Sequence, residues 1–352
     1  MQITRGARFN RFVRPPFYWL VFIVLYAVCQ IGCAHQPPIE KKCIEHRAAF
    51  DIGSATMKMK IATIDRCQNR NLGVVHKKDV KVPFAENIHN HLLSENIQNS
   101  GIEQLMALQR EALAQGAQTF SGVATAAFRE ADNAEPYLTR IKNQTGITIK
   151  LISHDEEAVL GYKAVMAGME TPSKNSLVWD IGGYSMQMVM KNKNEDYVVY
   201  RGKMASLSFK NQVIEKIHRG SAGGPISPNP IGRKNLAAVL QLAMTAAEDV
   251  PDEIKSYLRE TGISVIGIGG VHNHSIKKQV KADDWFTRND LMEALNRRIE
   301  WTDAEIGGRY ANTDVSNLIL VLGFMKKLDI DRVYLKDVNL TDGILIEPSF
   351  WQ

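Results

Sequence analysis

Two stretches of the chain repeat a pattern suited to holding an anion. Residues 50–59 read FDIGSATMKM and residues 179–188 read WDIGGYSMQM. Aligned, they share Asp, Ile, Gly, a hydroxyl residue and two methionines at the same offsets. The second copy lies 129 residues after the first, counted from Asp51 to Asp180. An aspartate at a strand end can hold a metal ion or its waters. The glycine after it lets the backbone approach an anion closely and present its N–H groups. One such hairpin is weak evidence, because Asp-Gly turns occur in many sheets. Two copies in matching positions, with Gly267-Ile268-Gly269-Gly270 after a further strand, raise the weight considerably. The duplication implies two similar domains facing each other.

Other phosphate and metal chemistries find no motif. There is no G-x-x-x-x-G-K-[ST], no G-x-G-x-x-G between a strand and a helix, and no H-E-x-x-H or zinc-spaced cysteine–histidine cluster. His272 and His274 flank Asn273 in a loop and read as surface or site-wall residues rather than ligands. Ser153-His154-Asp155-Glu156 reads as a capping box, with Glu156 reaching back to the cap amide. Arg129 taken alone is an ordinary surface arginine.

The elements that must position these residues follow from periodicity and turn signals. Strands are expected at Arg47–Gly53, Met57–Asp65 and Leu72–Val82, then at Thr119–Ala124 and Ile147–Ile152. Ser94 caps a helix to about Gln115. A second helix spans Asn133–Thr145 with Gly146 past its end, and a third begins at Ser153 and runs to about Met169. After Pro172 the pattern restarts with strands Asn175–Gly182, Ser185–Lys191 and Tyr197–Lys203. Arg219–Gly232 reads as a mobile loop. Helices Arg233–Asp249 and Asp252–Glu260, strand Ser264–Ile268, helices within Arg288–Asp329 and strand Arg332–Lys336 complete the reading.

The chain has 352 residues, 45% hydrophobic and 23% charged, as in ordinary globular proteins, and its length suggests two domains. Four arginines (Arg5, Arg8, Arg11, Arg14) supply most of the formal charge of +5, so the body is near neutral and carries no nucleic-acid footprint. Residues 17–29, FYWLVFIVLYAVC, are uncharged. With the arginines before them and Gln30-Ile31-Gly32-Cys33 after them, they describe an export leader. The segment resembles a bacterial lipoprotein signal, with Cys33 as the lipidated residue; an uncleaved anchor and ordinary secretion are the alternatives. All three export the body, and the expected location is the periplasmic side of a membrane. In that oxidising compartment Cys43 and Cys67 can bridge across the first hairpin, two free thiols being the alternative.

Three blocks together resemble the exopolyphosphatase and guanosine pentaphosphate phosphatase (Ppx/GppA) family of the actin-like ATPase superfold. They are Ala49–Ser54; Ala124-Thr-Ala-Ala-Phe-Arg-Glu-Ala131 with Asn133, Thr145–Ile149 and Ile152-Ser-His-Asp-Glu-Glu-Ala158; and Leu177–Gly183 with Ser185. The likeness runs from about residue 47 to 205, then thins to Gly267–Gly270 and Thr341-Asp342-Gly343. It implies an α/β fold of two actin-like, ribonuclease H-like domains with a cleft between them. The boundaries expected are 1–33 for the leader, 34–46 for a linker, 47–158 and 159–352 for the domains.

Residue by residue, the resemblance implies that Glu156 is the glutamate that activates water and Arg129 the grip on substrate phosphate. Asp51 and Asp180 are implied near a magnesium ion, and Gly53, Ser54, Gly182, Gly183, Ser185, Gly269 and Gly270 as the phosphate cradle. The activity implied is phosphoanhydride hydrolysis of polyphosphate or another phosphorylated small molecule, with a homodimer as an allowed assembly. Four positions depart from the family pattern: Ala55 for asparagine, Tyr184 for glycine, Gln187 for glutamate and Val271 for threonine or serine. They support an alternative from another class, a catalytically weakened sensor or scaffold that binds a phosphorylated ligand at the membrane.

Overall fold

In the strand Ile44–Ile52 every residue from Arg47 onward is buried. A strand buried on both faces belongs in the middle of its sheet. The computed structural model describes residues 43–169, 175–218 and 227–351. It places this strand, β1, between β2 (Thr56–Asp65) and β6 (Thr119–Ala124). With β3 (Arg70–Lys81) and β7 (Thr148–Leu151) they form a five-stranded sheet of order β3-β2-β1-β6-β7. A two-residue ribbon, β4 (Ile88–His89) with β5 (Leu92–Leu93), stands apart. The second sheet repeats the plan. Strands β8 (Ser176–Ile181), β9 (Met186–Lys191), β10 (Tyr197–Gly202), β11 (Ser264–Ile268), β12 (Trp285–Thr287) and β13 (Arg332–Leu335) lie in the order β10-β9-β8-β11-β13-β12. Each sheet is an antiparallel meander joined through its first strand to two parallel strands, and the second sheet adds the antiparallel edge strand β12. The parallel joins need long crossovers, and helices supply them.

The expected strands and most expected helices are present with ends displaced by a few residues. Ser94 caps the helix Glu95–Ala114, and Gly146 ends Ala134–Thr145 in the left-handed conformation at φ 74°. Periodicity did not anticipate the helix Ser206–His218, β12, the wide helical turn Val271–Ile276 or the helix Leu340–Ile346. That last helix joins a core with Ala49, Ala62, Val123, Ile152 and Leu160, so the chain end packs on the first sheet rather than the second. The helix His154–Ala167 runs through the expected boundary at 158. A Cβ on Gly343 would lie 2.5 Å from the Leu160 carbonyl oxygen, so these two helices cross in close contact. Lys60 pairs with Asp342 in the same region, and the Arg47 guanidinium donates to Leu345 O at 2.9 Å.

His272 departs from its expected place. It is wholly buried, edge-on to Trp179 at 4.9 Å and stacked on Phe286 at 6.0 Å. The turn after Gly270 rolls its ring into the second core while His274 stays exposed. Burial pushes its imidazole down to about 3, so it is a neutral core residue. The leader, Cys33, the linker up to residue 42 and positions 219–226 of the glycine-rich loop lie outside the described residues. Among the described residues no helix is long and apolar enough to cross a membrane.

Cys43 and Cys67 form a disulfide with Cα atoms 5.5 Å apart. The register places Ile44 opposite Asp65, so Cys43 is level with Arg66 rather than with Cys67. The bridge closes because the chain turns at Asp65, whose carboxylate accepts the Cys67 and Gln68 amides at 3.0 and 3.2 Å. Closing a loop with a sequence separation of 24 stabilises by about 3 kcal/mol through the unfolded state. Cys43→Ser with Cys67→Ser should lower the unfolding free energy by about that amount in denaturant titrations. Reductant should produce the same loss in the wild type and none in the double variant.

Candidate active site

The two duplicated turns are built alike. Gly53 N–H donates to Thr56 O at 2.9 Å, and Gly182 N–H donates to Ser185 O at 2.9 Å. Asp51 lies opposite Lys58 across β1–β2, and Asp180 opposite Gln187 across β8–β9. Ser54 and Ser185 are buried in the turns. Beside β1, the parallel strand β6 leads into Thr125 and the short helix Ala126–Arg129; beside β8, β11 leads into Gly269 and Gly270. Gly269 is required by conformation, because its φ is +80° and a Cβ would lie 2.1 Å from Asp180 Oδ1. Gly53, Gly182, Gly183 and Gly270 have ordinary φ, and a Cβ on any of them would meet nothing nearer than 3.3 Å. At Gly53, Gly182 and Gly183 a Cβ would sit tightly, at 3.3–3.4 Å from its nearest neighbour.

Arg129 is aimed by its neighbour. Phe128 is buried against Phe84 at 4.9 Å and Tyr137 at 6.1 Å, which pins the short helix. Burial of a phenylalanine stabilises by about 2 kcal/mol or more. The guanidinium then points the other way. Its Nη1 donates to Ile152 O at 3.0 Å and to Glu157 Oε2 at 2.8 Å, while its Nη2 is buried without a partner among the described residues.

The acid beside Arg129 is therefore Glu157, one residue beyond the expected Glu156. Glu156 Oε2 accepts from the Ser153 amide at 2.9 Å and from Ser153 Oγ at 3.1 Å, completing the capping box. Its other oxygen pairs with Lys150 at 2.8 Å, and about half of its side chain is exposed. Lys150 and the Ser153 amide hold the Glu156 carboxyl below its usual range. Successive helical residues are turned by about 100°. With Glu156 spent on the cap, Glu157 faces inward. The capping-box signature was the signal available for this, because it already assigned Glu156 another task.

Glu157, Asp180, Asp51, Lys58 and Arg129 form one charge cluster drawn from both lobes. Burial pushes the Glu157 carboxyl up to about 7; Arg129 opposes the shift, while Asp180 and Asp51 add to it. Burial likewise raises Asp180 to about 6, against the pull of Lys58. Lys58 Nζ pairs with Asp51 Oδ2 at 3.1 Å, and Asp51 above all holds the ammonium above its usual range. Lys58 was not anticipated as a site residue.

Asp51 and Asp180 are the carboxylates available to a divalent ion, and they make a poor preformed cage. Asp51 is already paired with an ammonium, and Asp180 Oδ1 lies against Gly269. Opposite Asp180 stands Gln187, a neutral amide in place of a carboxylate, whose buried Nε2 has no partner among the described residues. Among the described residues, the one group of three metal-type ligands is Cys43, Asp65 and Cys67, whose cysteines are bridged.

Around this centre lie further polar groups. Tyr184 is half-buried, and burial with Glu86 and Glu130 of the first lobe raises its phenol. His154 is pushed down by burial and by Arg129 and Arg201. Arg201 makes a two-point ion pair with Asp155 at 2.5 Å. Val271 is buried in the second core, so that departure does not alter the cleft. A pocket of about 680 Å3 lined by Tyr162, Lys191, Glu253 and Tyr257 contains none of these residues.

Comparison with known proteins gives the family and the fold. The Ppx/GppA phosphatase family matches residues 63–348, a span beginning just after the first turn. A guanosine-5'-triphosphate,3'-diphosphate pyrophosphatase of Pseudoalteromonas translucida is 25% identical over 309 residues, 85% of this chain and 58% of that protein. A bifunctional 3-dehydroquinate synthase/phosphatase of Fusobacterium nucleatum is 27% identical over 155 residues, 42% of this chain and 23% of that protein. The chain thus spans less than two thirds of the length of either relative. The crystal structure of the Aquifex aeolicus Ppx/GppA family member superposes with a TM-score of 0.68 at 18% identity, covering 87% of this chain and 98% of that one. An exopolyphosphatase from Cytophaga hutchinsonii gives 0.66 at 16% identity, covering 86% and 96%. These superpositions show a shared fold. By its sequence match over most of its length, the chain belongs to the Ppx/GppA phosphatase family.

Proposed function

We propose that the chain is a phosphoanhydride hydrolase acting in the cleft between its lobes. The observation that carries this reading is the buried Arg129–Glu157 pair, set among the aspartates of both duplicated turns, with one guanidinium nitrogen left unpartnered. A phosphoanhydride resists attack because its oxygens are negative. Arg129 Nη2 supplies a charged donor to one of them, and the glycine turns at Gly53 and Gly182–Gly183 admit the rest of the group close to the backbone. Glu157 then takes the proton of the attacking water. A carboxyl held near 7 is matched to that task at neutral pH.

Family membership implies a divalent metal. Asp51 and Asp180 are the carboxylates nearest to such a role, and with Asp51 already paired to Lys58 they do not fit a preformed magnesium site, so the chemistry is assigned to Arg129 and Glu157. Polyphosphate and guanosine pentaphosphate are the substrates this reading favours, and hydrolysis needs no ATP. That suits an exported protein held to a membrane through Cys33 or its leader.

Three outcomes test the assignment on the full-length protein. Glu157→Gln should lower kcat for phosphate release from polyphosphate by about a hundredfold or more. Glu156→Ala should leave that rate within about twofold while costing about 1 kcal/mol of stability through the lost cap. Equal rates for wild type and Glu157→Gln would reject the role given to Glu157. The wild-type rate should rise with pH through about 7, as the base loses its proton, and this limb should be missing in the residual activity of Glu157→Gln. Tight polyphosphate binding without turnover at any pH would favour the sensor reading instead.

A further inference from the structure

At the far edge of the second sheet two aromatic side chains face water. Trp285 of β12 lies directly opposite Tyr334 of β13, and the two are 44% and 39% exposed. Strand alternation sends their neighbours Phe286 and Val333 into the core on the other face. The Arg332 guanidinium lies over the Trp285 ring at 4.2 Å and over the Tyr334 ring at 5.9 Å, and its Nη1 donates to Tyr334 Oη at 3.5 Å. Arg332 is exposed and has no carboxylate partner among the described residues. The acids next to it in the chain, Asp329 and Asp331, are both taken by Arg288. Tryptophan, tyrosine and arginine are the side chains that most often anchor protein contacts.

β12 is the last strand of its sheet. The Leu335 amide donates to Asp284 O at 2.7 Å and the Arg288 amide to Asp331 O at 3.3 Å. Hydrogen-bonded and non-hydrogen-bonded pairs alternate along an antiparallel ladder. Asp284, Phe286 and Arg288 therefore bond inward to β13, and the Trp285 N–H and C=O point out of the edge. An edge left open in this way is a template for another strand. The stacked arginine shields the ring faces and leaves those two backbone groups open.

The sequence of the edge suits an identical edge. Asp283 lies two residues before Trp285, is exposed and has no ion-pair partner among the described residues. Two copies paired antiparallel about Trp285 bring Asp283 of one opposite Thr287 of the other, in the same row as Arg332. Two strand spacings, about 10 Å between Cα atoms, then separate Arg332 from that aspartate, within the combined reach of the two side chains. The two-fold axis makes the contact twice. The two tryptophans meet across the axis with Cα atoms about 5.5 Å apart, and two backbone hydrogen bonds close between them.

We propose that β12 is a homodimer interface: two copies of the chain pair edge to edge about a two-fold axis at Trp285, with Arg332 of each on Asp283 of the other. A foreign extended peptide fits the same backbone edge, but only one with a carboxylate at this register answers Arg332. This chain supplies it. The contact is small, so micromolar rather than nanomolar pairing is expected.

Sedimentation of the full-length protein in detergent should show a monomer–dimer equilibrium with half-dimerisation below about 100 μM. Arg332→Asp and Asp283→Arg each set like charges against each other in both contacts, and each should weaken self-association by about tenfold or more. Mixing the two variants restores opposite charges at both contacts, so a one-to-one heterodimer within about threefold of the wild-type affinity is expected. Association through the leader would be the same in every sample. A wild type that stays monomeric, variants that pair as tightly as wild type, or a mixture that stays monomeric would each overturn the proposal. Should a variant misfold by circular dichroism, Trp285→Glu decides, because it sets two carboxylates together at the axis. It should abolish dimerisation, and unchanged association would overturn the proposal.

Discussion

The site rests on the buried ion pair between Arg129 and Glu157. The buried glutamate charge would be costly there alone, because removing an ion from water is offset only by a well-placed partner and further hydrogen bonds. The pair meets that demand from two elements far apart in sequence, the end of β6 and the first turn of the helix His154–Ala167. The Ile152 carbonyl supplies an additional acceptor for the guanidinium. Two features are informative: one guanidinium nitrogen has no partner among the described residues, and burial holds the glutamate carboxyl up to about 7. A pair balanced in this way can stabilise the fold and still exchange a proton or accept an anion.

Around it, duplication supplies symmetry of backbone and difference of chemistry. Both turns close with the same glycine-to-hydroxyl-residue hydrogen bond, and both aspartates occupy the same register. The residues facing those aspartates differ, lysine in one copy and glutamine in the other. The neighbouring parallel strands also diverge: β6 delivers an arginine, whereas β11 delivers a glycine pinned against Asp180. Two copies of one device thus produce an asymmetric cleft, with Lys58 and Arg129 on the first lobe and Gly269 close against Asp180 on the second.

The lobes share a seam as well as a cleft. The helix His154–Ala167 carries Glu157 at its start and crosses the helix Leu340–Ile346 at Gly343, where a larger residue would strike the Leu160 carbonyl. Lys60–Asp342 and Lys163–Glu347 tie the same junction. Glu157 is therefore mounted on the element that joins the two halves. Its position relative to the second turn depends on that crossing.

Local chemistry made much of this legible without coordinates. The repeated Asp-Ile-Gly, the strand β6, the helix caps at Ser94 and Ser153, and the glycine past Thr145 all follow from short-range rules, while Arg129 was singled out only through the family blocks. Short-range rules could not decide between adjacent acids. Glu156 and Glu157 differ by about 100° around a helix axis, and which one faces the cleft depends on the cap and on the lobe packed against that turn. The same limit hid Lys58, because its importance lies in a carboxylate across the hairpin and another on the opposite lobe. It misplaced His272 too, whose environment is set by Trp179 and Phe286 from distant strands. Composition and pattern determined the devices; convergence of charges from separate elements, through burial that no local window contains, decided which side chains act together.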